Sequence, residues 1–146
     1  MSTDELHSAV ATRLAGIEQR YTSKRRALVD VLARSGRPLT IPDILEVAGA
    51  LPQSSIYRNL AVLEEATAVR RIASAGDFAL YELSEDITEH HHHLVCSACG
   101  RVVDVTLPER VEKAIEVAEG DVAADTGFLI EHHSLDLVGL CPECRS

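Results

Sequence analysis

His90-His91-His92-His93-Leu94-Val95-Cys96-Ser97-Ala98-Cys99-Gly100 is the most informative stretch of this chain. It runs four consecutive histidines into a C-x-x-C knuckle. A second knuckle, Cys141-Pro142-Glu143-Cys144, follows after an interval of 41 residues. Each knuckle presents two thiolates, and the pair completes a tetrahedral four-thiolate zinc site. Gly100 supplies the permissive backbone that the tight turn needs. Val95 before the first knuckle and Val102-Val103 after it read as strand–knuckle–strand. A redox C-x-x-C wants a βαβ setting and a helix N-terminus, and neither knuckle has them. Disulfides are disfavoured in a chain that opens on MSTDELHSAV, without the basic and apolar pattern of a signal peptide. A structural zinc is worth roughly 10–16 kcal/mol of apparent binding energy, as much as the whole net stability of a small domain.

The histidine run abuts that knuckle. On a strand, alternate side chains point to opposite faces. His91 and His93 therefore share one face, and His90 and His92 the other. Neutral imidazole suits zinc, iron and nickel. Glu82, Glu85, Asp104 and Glu112 and the pair His132-His133 can supply further ligands. Such mixed sites hold metal more weakly than four thiolates, which suits a permanent site beside a reversible one. A solvated polar strand is the competing reading.

Outward from this core the charge divides. The 146 residues carry a formal −9. Residues 1–82 hold ten basic and ten acidic side chains; residues 83–146 hold four against thirteen. The acids thus gather with all four cysteines and six of the seven histidines. No apolar run approaches the ~20 residues of a membrane helix. These features indicate a cytoplasmic protein of two modules.

The first module shows helical periodicity at Val10, Leu14 and Ile17 and at Leu28, Val31 and Leu32. Thr22 or Ser23 reads as the cap of the second helix. Thr40 reads as the cap of a third, with Pro42 in its first turn and Asp43 at its third position. Ile44, Leu45 and Ala48 face inward. A fourth helix, from about Ser54 to Glu65, turns Ile56, Leu60 and Leu63 to the core. Its other face carries Gln53, Ser54, Ser55, Tyr57, Arg58 and Asn59, with no acid until Glu64. Hydroxyls, amides and an arginine suit phosphates and base edges. Val69–Ala73 and Phe78–Leu83 read as a hairpin turning at Ala75-Gly76-Asp77. Helices followed by a hairpin make a winged helix-turn-helix, with Arg70 or Arg71 meeting backbone phosphate and basic residues such as Lys24 and Arg25 at the edge. The bland alternative is a helical core with a solvated face, in which Tyr57 is a packing residue.

In the second module, Val102, Val103 and Val105 form a strand and Pro108 opens a helix. Phe128-Leu129-Ile130 and Ser134–Val138 read as strands. About three strands under one helix leave a poor core and open edges, which a second copy would cover. The fold class is α+β: a winged helix over 1–83, a hinge over 84–89, and a small α/β dimerisation module over 90–146.

The ordered segments Thr22-Ser23-Lys24-Arg25, Ser55-Ile56-Tyr57-Arg58-Asn59-Leu60, Tyr81-Glu82-Leu83, His90–Gly100, His133-Ser134-Leu135 and Cys141–Cys144 resemble the ferric uptake regulator family of bacterial metal-dependent repressors. The resemblance implies a homodimer that reads a palindromic double-stranded DNA operator, with no membrane partner and no catalysis. It implies structural Zn2+ on Cys96, Cys99, Cys141 and Cys144. It implies a regulatory Fe2+ or Zn2+ at the hinge on Glu82, His91, His93 and Asp104, and a further site on His90, His92, Glu112 and His133. Iron-sensing members often add a histidine from the DNA-binding domain, where this chain has Pro38. Zinc-sensing members often use an aspartate at the start of the wing, where it has Arg70. His7 is a distant candidate for the missing ligand. Two rival functions are a peroxide sensor on the same fold and a zinc hydrolase or deaminase. The second lacks an H-E-x-x-H, and no H-x-E precedes a P-C-x-x-C.

Overall fold

A computed structural model describes residues 2–72 and 77–146. Four helices come first: α1 (Thr3–Gly16), α2 (Ser23–Ser35), α3 (Ile41–Val47) and α4 (Gln53–Glu65). Their starts follow from side-chain chemistry. Ser2 and Glu5 form a reciprocal capping box at α1, and Thr40 and Asp43 form another at α3. Thr22 caps α2 through the amide of Arg25, and Gly36 ends that helix with a φ of 65°. The helices bury one continuous apolar stripe, including Val10, Leu14, Leu28, Ile44, Ile56, Leu60 and Leu63. On α2 it is Val29 that is fully buried, while Val31 only packs against the edge of the core.

The wing is an antiparallel pair, β1 (Val69–Ile72) and β2 (Leu80–Leu83). The expected turn at Ala75-Gly76 and the last strand residue, Ala73, lie outside the described residues. Leu39 joins the wing through paired backbone hydrogen bonds with Tyr81 (2.9 and 2.7 Å). This ties the loop before α3 to β2, a link that no local pattern announces. A 3-10 turn at Glu85–Ile87 follows. Ile87 is buried in the first module's core, and the Ser84 amide bonds the Ala68 carbonyl. Arg13 on α1 grips Asp86 at 2.6 Å. The first half of the 84–89 segment is therefore fastened to the helices.

The second module is a three-stranded sheet of order β4-β3-β5, with a long helix and a short one. β3 (His92–Cys96) pairs antiparallel with β4 (Val102–Val105) and parallel with β5 (Asp136–Gly139). The parallel pairing needs a long crossover. Helix α5 (Glu109–Thr126) supplies it, opening after Pro108 and ending at Gly127 with a φ of 77°. A one-turn helix, α6 (Pro142–Arg145), carries the second knuckle, which the sequence presents only as a tail.

One expected strand is corrected. Phe128-Leu129-Ile130 forms no strand in this chain, and Phe128 and Leu129 are 74% and 88% exposed. Their apolar, β-favouring side chains have no partner strand within one copy. Likewise α5 buries no residue. No helix among the described residues is long and apolar enough to cross a membrane.

Candidate metal centres and nucleic-acid interface

Three groups of ligand atoms converge, each within a 4.8 Å span. The first is Cys96, Cys99, Cys141 and Cys144. Cys99 and Cys141 sulfurs lie 3.8 Å apart. Tetrahedral zinc with Zn–S bonds of about 2.3 Å needs sulfur pairs about 3.8 Å apart, so the residues fit the ion. The knuckles are locked together by backbone. The Gly100 amide returns to the Cys96 carbonyl (2.9 Å), with Gly100 at a φ of 79°. The Cys141 amide donates to Cys96 Sγ (3.3 Å), and Arg101 pairs with Glu143 across the two loops. That amide bond draws the Cys96 thiol down to about 6, whereas hydrogen bonding to the other three sulfurs pushes Cys144 up to about 12. Four thiolates cannot share this volume without a cation.

The second group joins the modules. Glu82 comes from the wing strand β2. His91 immediately precedes β3, His93 lies within it, and Asp104 comes from β4. His93 and Asp104 are register partners, so the sheet itself sets them side by side. Glu82 Oε2 lies 3.1 Å from His91 Nε2 and 3.0 Å from His93 Nε2. Asp104 Oδ1 stands 3.9 and 3.7 Å from the same nitrogens. That oxygen is buried and makes no hydrogen bond among the described residues, an arrangement a shared cation resolves. Arg70, opposite Glu82 in the hairpin register, holds Oε1 at 2.6 to 2.7 Å.

The electrostatics follow. Burial raises the Glu82 carboxyl, but hydrogen bonds from His93 and Arg70 outweigh it and hold the group at about 2. Burial lowers His91, yet the Glu89 carbonyl and Glu82 carry it above the ordinary 6.5. Glu82 raises His93 in the same direction, against burial. Both imidazoles must lose a proton before Nε2 can bind metal. Proton competition therefore sets in at a higher pH than for free histidine. Metal affinity of this cluster is expected to fall as pH drops through the raised values, by about tenfold per pH unit for each proton displaced. Chelator competition at pH 8, 7 and 6 checks it; a flat profile would contradict histidine ligation.

The third group sits on the other face of β3. Glu112 on α5 reaches His92 Nε2 at 2.5 Å, His90 Nε2 at 3.2 Å and His133 Nε2 at 3.2 Å. His90 and His92 nitrogens are 3.2 Å apart. His92 is fully buried among these groups. Burial raises the Glu112 carboxyl, but His92, His90 and His133 outweigh it and hold the group below its ordinary value.

Strand alternation thus separates the four histidines as pairs, and the tertiary fold brings a different carboxylate to each pair. Outer partners went unread in the sequence. His133 Nδ1 meets Glu119 at 2.5 Å, and His93 Nδ1 faces Asp136 at 3.6 Å. Glu119 lies two helical turns from Glu112, a spacing that signals a shared face. His7 joins none of the three groups: it is buried, with its ring between Tyr21 Oη (2.5 Å) and Asp30 (2.8 Å).

On α4 the expected reading face is divided. Gln53, Ser54, Tyr57 and Arg58 are exposed, with no acid in the first turn. Ser55 and Asn59 are only 2% and 7% exposed, which corrects their expected place on that face. Asn59 donates to the Ser55 carbonyl (2.8 Å) and accepts from Arg25 Nε (3.0 Å). Asn59 thereby braces Arg25, while Lys24 beside it is exposed. Arg70 is held by Glu82 rather than free at the surface, and Arg71 is more exposed, near Glu64.

A winged-helix module joined to a small sheet, with three clusters of metal-ligand type, defines the class: a two-module metal-binding DNA-recognition protein. Residues 17–138 match the ferric uptake regulator family. The chain is 30% identical over 148 residues to the peroxide operon regulator of Bacillus subtilis, covering 99% of this chain and 96% of that one. It is 35% identical over 102 residues to the ferric uptake regulation protein of Legionella pneumophila, 70% of each. Its fold is similar to that of the Helicobacter pylori ferric uptake regulator, described as having three functional metal binding sites. The TM-score is 0.74 at 23% identity, over 100% of this chain and 95% of that one. The chain belongs to the ferric uptake regulator family, whose members are metal-responsive, DNA-binding transcriptional repressors.

Proposed function

We propose that the chain is a cytosolic homodimer that reads a palindromic operator when a divalent metal, Fe2+ or Zn2+, loads its hinge cluster. Structural Zn2+ belongs on Cys96, Cys99, Cys141 and Cys144. The observation that carries this reading is Glu82, a wing residue whose carboxylate lies among histidines of the other module. A divalent cation there supplies positive charge shared by Glu82, His91, His93 and Asp104. Those four residues then hold the wing at one angle to the sheet, and the recognition helices keep one spacing. With the cluster unloaded, Glu82 retains only its hydrogen bonds and its pair with Arg70. His90, His92, Glu112 and His133 form a second metal site, held within the second module alone.

Gln53, Ser54, Tyr57 and Arg58 enter the major groove, with Lys24 and Arg25 toward phosphates, while Arg70 stays on Glu82. The bare N-terminus of α4 also favours phosphate. Exposed Val117, Phe128, Leu129 and Val138 give the second module an apolar face suited to a second copy.

The test is fluorescence anisotropy on a palindromic A·T-rich duplex, using chain that retains its zinc. Binding is expected only with added iron, zinc, manganese or nickel, and should weaken steeply with salt. Equal binding by the metal-stripped hinge would refute the switch. Leu129→Glu should shift the chain to monomer in sedimentation velocity and abolish tight operator binding. The Bacillus subtilis relative is a peroxide regulator, so the assay is repeated on iron-loaded chain with hydrogen peroxide. Irreversible loss of binding would assign the sensing of peroxide as well.

A further inference from the structure

Glu85 stands between the two histidine clusters and belongs to neither set of ligand atoms. It sits in the 3-10 turn that leaves the wing. Its Oε1 accepts from the backbone amide of His91 (3.3 Å) and also pairs with His90 Nδ1. One oxygen therefore holds two consecutive residues whose rings go to opposite faces of the strand.

The ring chemistry makes that contact directional. A carboxylate can only accept, so His90 Nδ1 keeps its proton on Glu85 and Nε2 is the ring nitrogen left to bind a metal. Nε2 is the atom that faces Glu112 and His92. The same oxygen fixes the His91 peptide at the point where that ring enters the hinge cluster beside Glu82. Alternation otherwise insulates the clusters from each other, because their rings share no face.

We propose that Glu85 is a positioning residue that couples the two clusters, so that loading either one raises the other's affinity for a divalent metal. This rests on the reading that both clusters hold metal. Ordering His90 around an ion fixes Glu85, and a fixed Glu85 pre-orders the His91 peptide for the hinge cluster. The coupling is reciprocal by thermodynamic necessity. Glu119 provides the contrast. It holds His133 Nδ1 from α5 and so supports one cluster alone.

The test uses the full chain with its cysteine site kept in zinc, titrated with cobalt(II) against a chelator. Hinge-cluster affinity is measured with the other cluster intact and with it disabled by His133→Ala. In the parent chain the intact form should bind about fivefold tighter or more. Glu85→Ala should bring that ratio to about one and weaken the His90 cluster by about tenfold. Glu85→Gln keeps an acceptor oxygen and should recover most of the ratio. Glu119→Ala should weaken the His90 cluster and leave the ratio high. Circular dichroism checks that each variant is folded.

An unchanged ratio in both folded Glu85 variants overturns the coupling. So does X-ray absorption showing an oxygen donor lost from the metal in Glu85→Ala, because Glu85 would then be a ligand. Failure of the parent chain to take up cobalt beyond its zinc site would instead overturn the metal reading of both clusters.

Discussion

Cys96→Ser is expected to release one zinc per chain and to unfold the second module while the first stays folded. Within one copy the second module has little else to hold it. Helix α5 buries no side chain, and apolar burial in the sheet is confined to Cys96 and Val102. The four-cysteine cluster fastens α6 to β3, partly through the Cys141 amide on Cys96 Sγ. Removing one thiolate forfeits most of the roughly 10–16 kcal/mol that a structural zinc contributes, against a net stability of about 5–15 kcal/mol for a whole domain. The helical module has its own core of Val10, Leu14, Leu28, Ile56 and Leu60. Metal analysis and hydrogen exchange together measure the effect. Amides of β3 should lose protection, and those of α4 should keep it. Protected β3 amides in zinc-free protein would show that the sheet stands without its ion.

His91→Ala is expected to abolish metal-dependent operator binding and to leave the fold and the zinc of the cysteine site unchanged. It deletes one of the four proposed ligands, so hinge affinity should fall by about 100-fold or more, beyond the 10–100-fold typical of losing an outer-sphere partner. The side chain lies at the rim of its cluster and is no part of the helical core. Glu82→Ala would be a poorer probe, because it also strands Arg70. Chelator competition and duplex anisotropy on one preparation separate the two effects. A variant that still responds to metal at the parent concentration would remove His91 from the switch.

Much of this architecture was legible in local chemistry. Thr40, Pro42 and Asp43 announced the start of α3, and paired knuckles announced a four-sulfur site. Such features need only neighbours a few residues away. The exposed strand-like segment at Phe128–Ile130 misled, because β-favouring composition says nothing about whether a partner strand exists in the same copy. Ser55 and Asn59 misled for a related reason. Their polarity suited a reading face, but the packing of α4 against α2 turned them inward, where they satisfy each other and brace Arg25.

By itself the sequence determined which histidines travel together, because strand periodicity is a property of the backbone and puts His91 with His93 and His90 with His92. It also determined the sulfur site, through spacing alone. Only the tertiary structure decided which carboxylate meets each pair. Glu82 arrives from a hairpin of the other module, and Glu112 from a helix laid over the sheet. Those meetings depend on register and on long crossovers, which no local pattern encodes. The same is true of Arg70, which pairs with Glu82 across the wing, and of Glu85, whose one oxygen links two clusters that alternation had set apart.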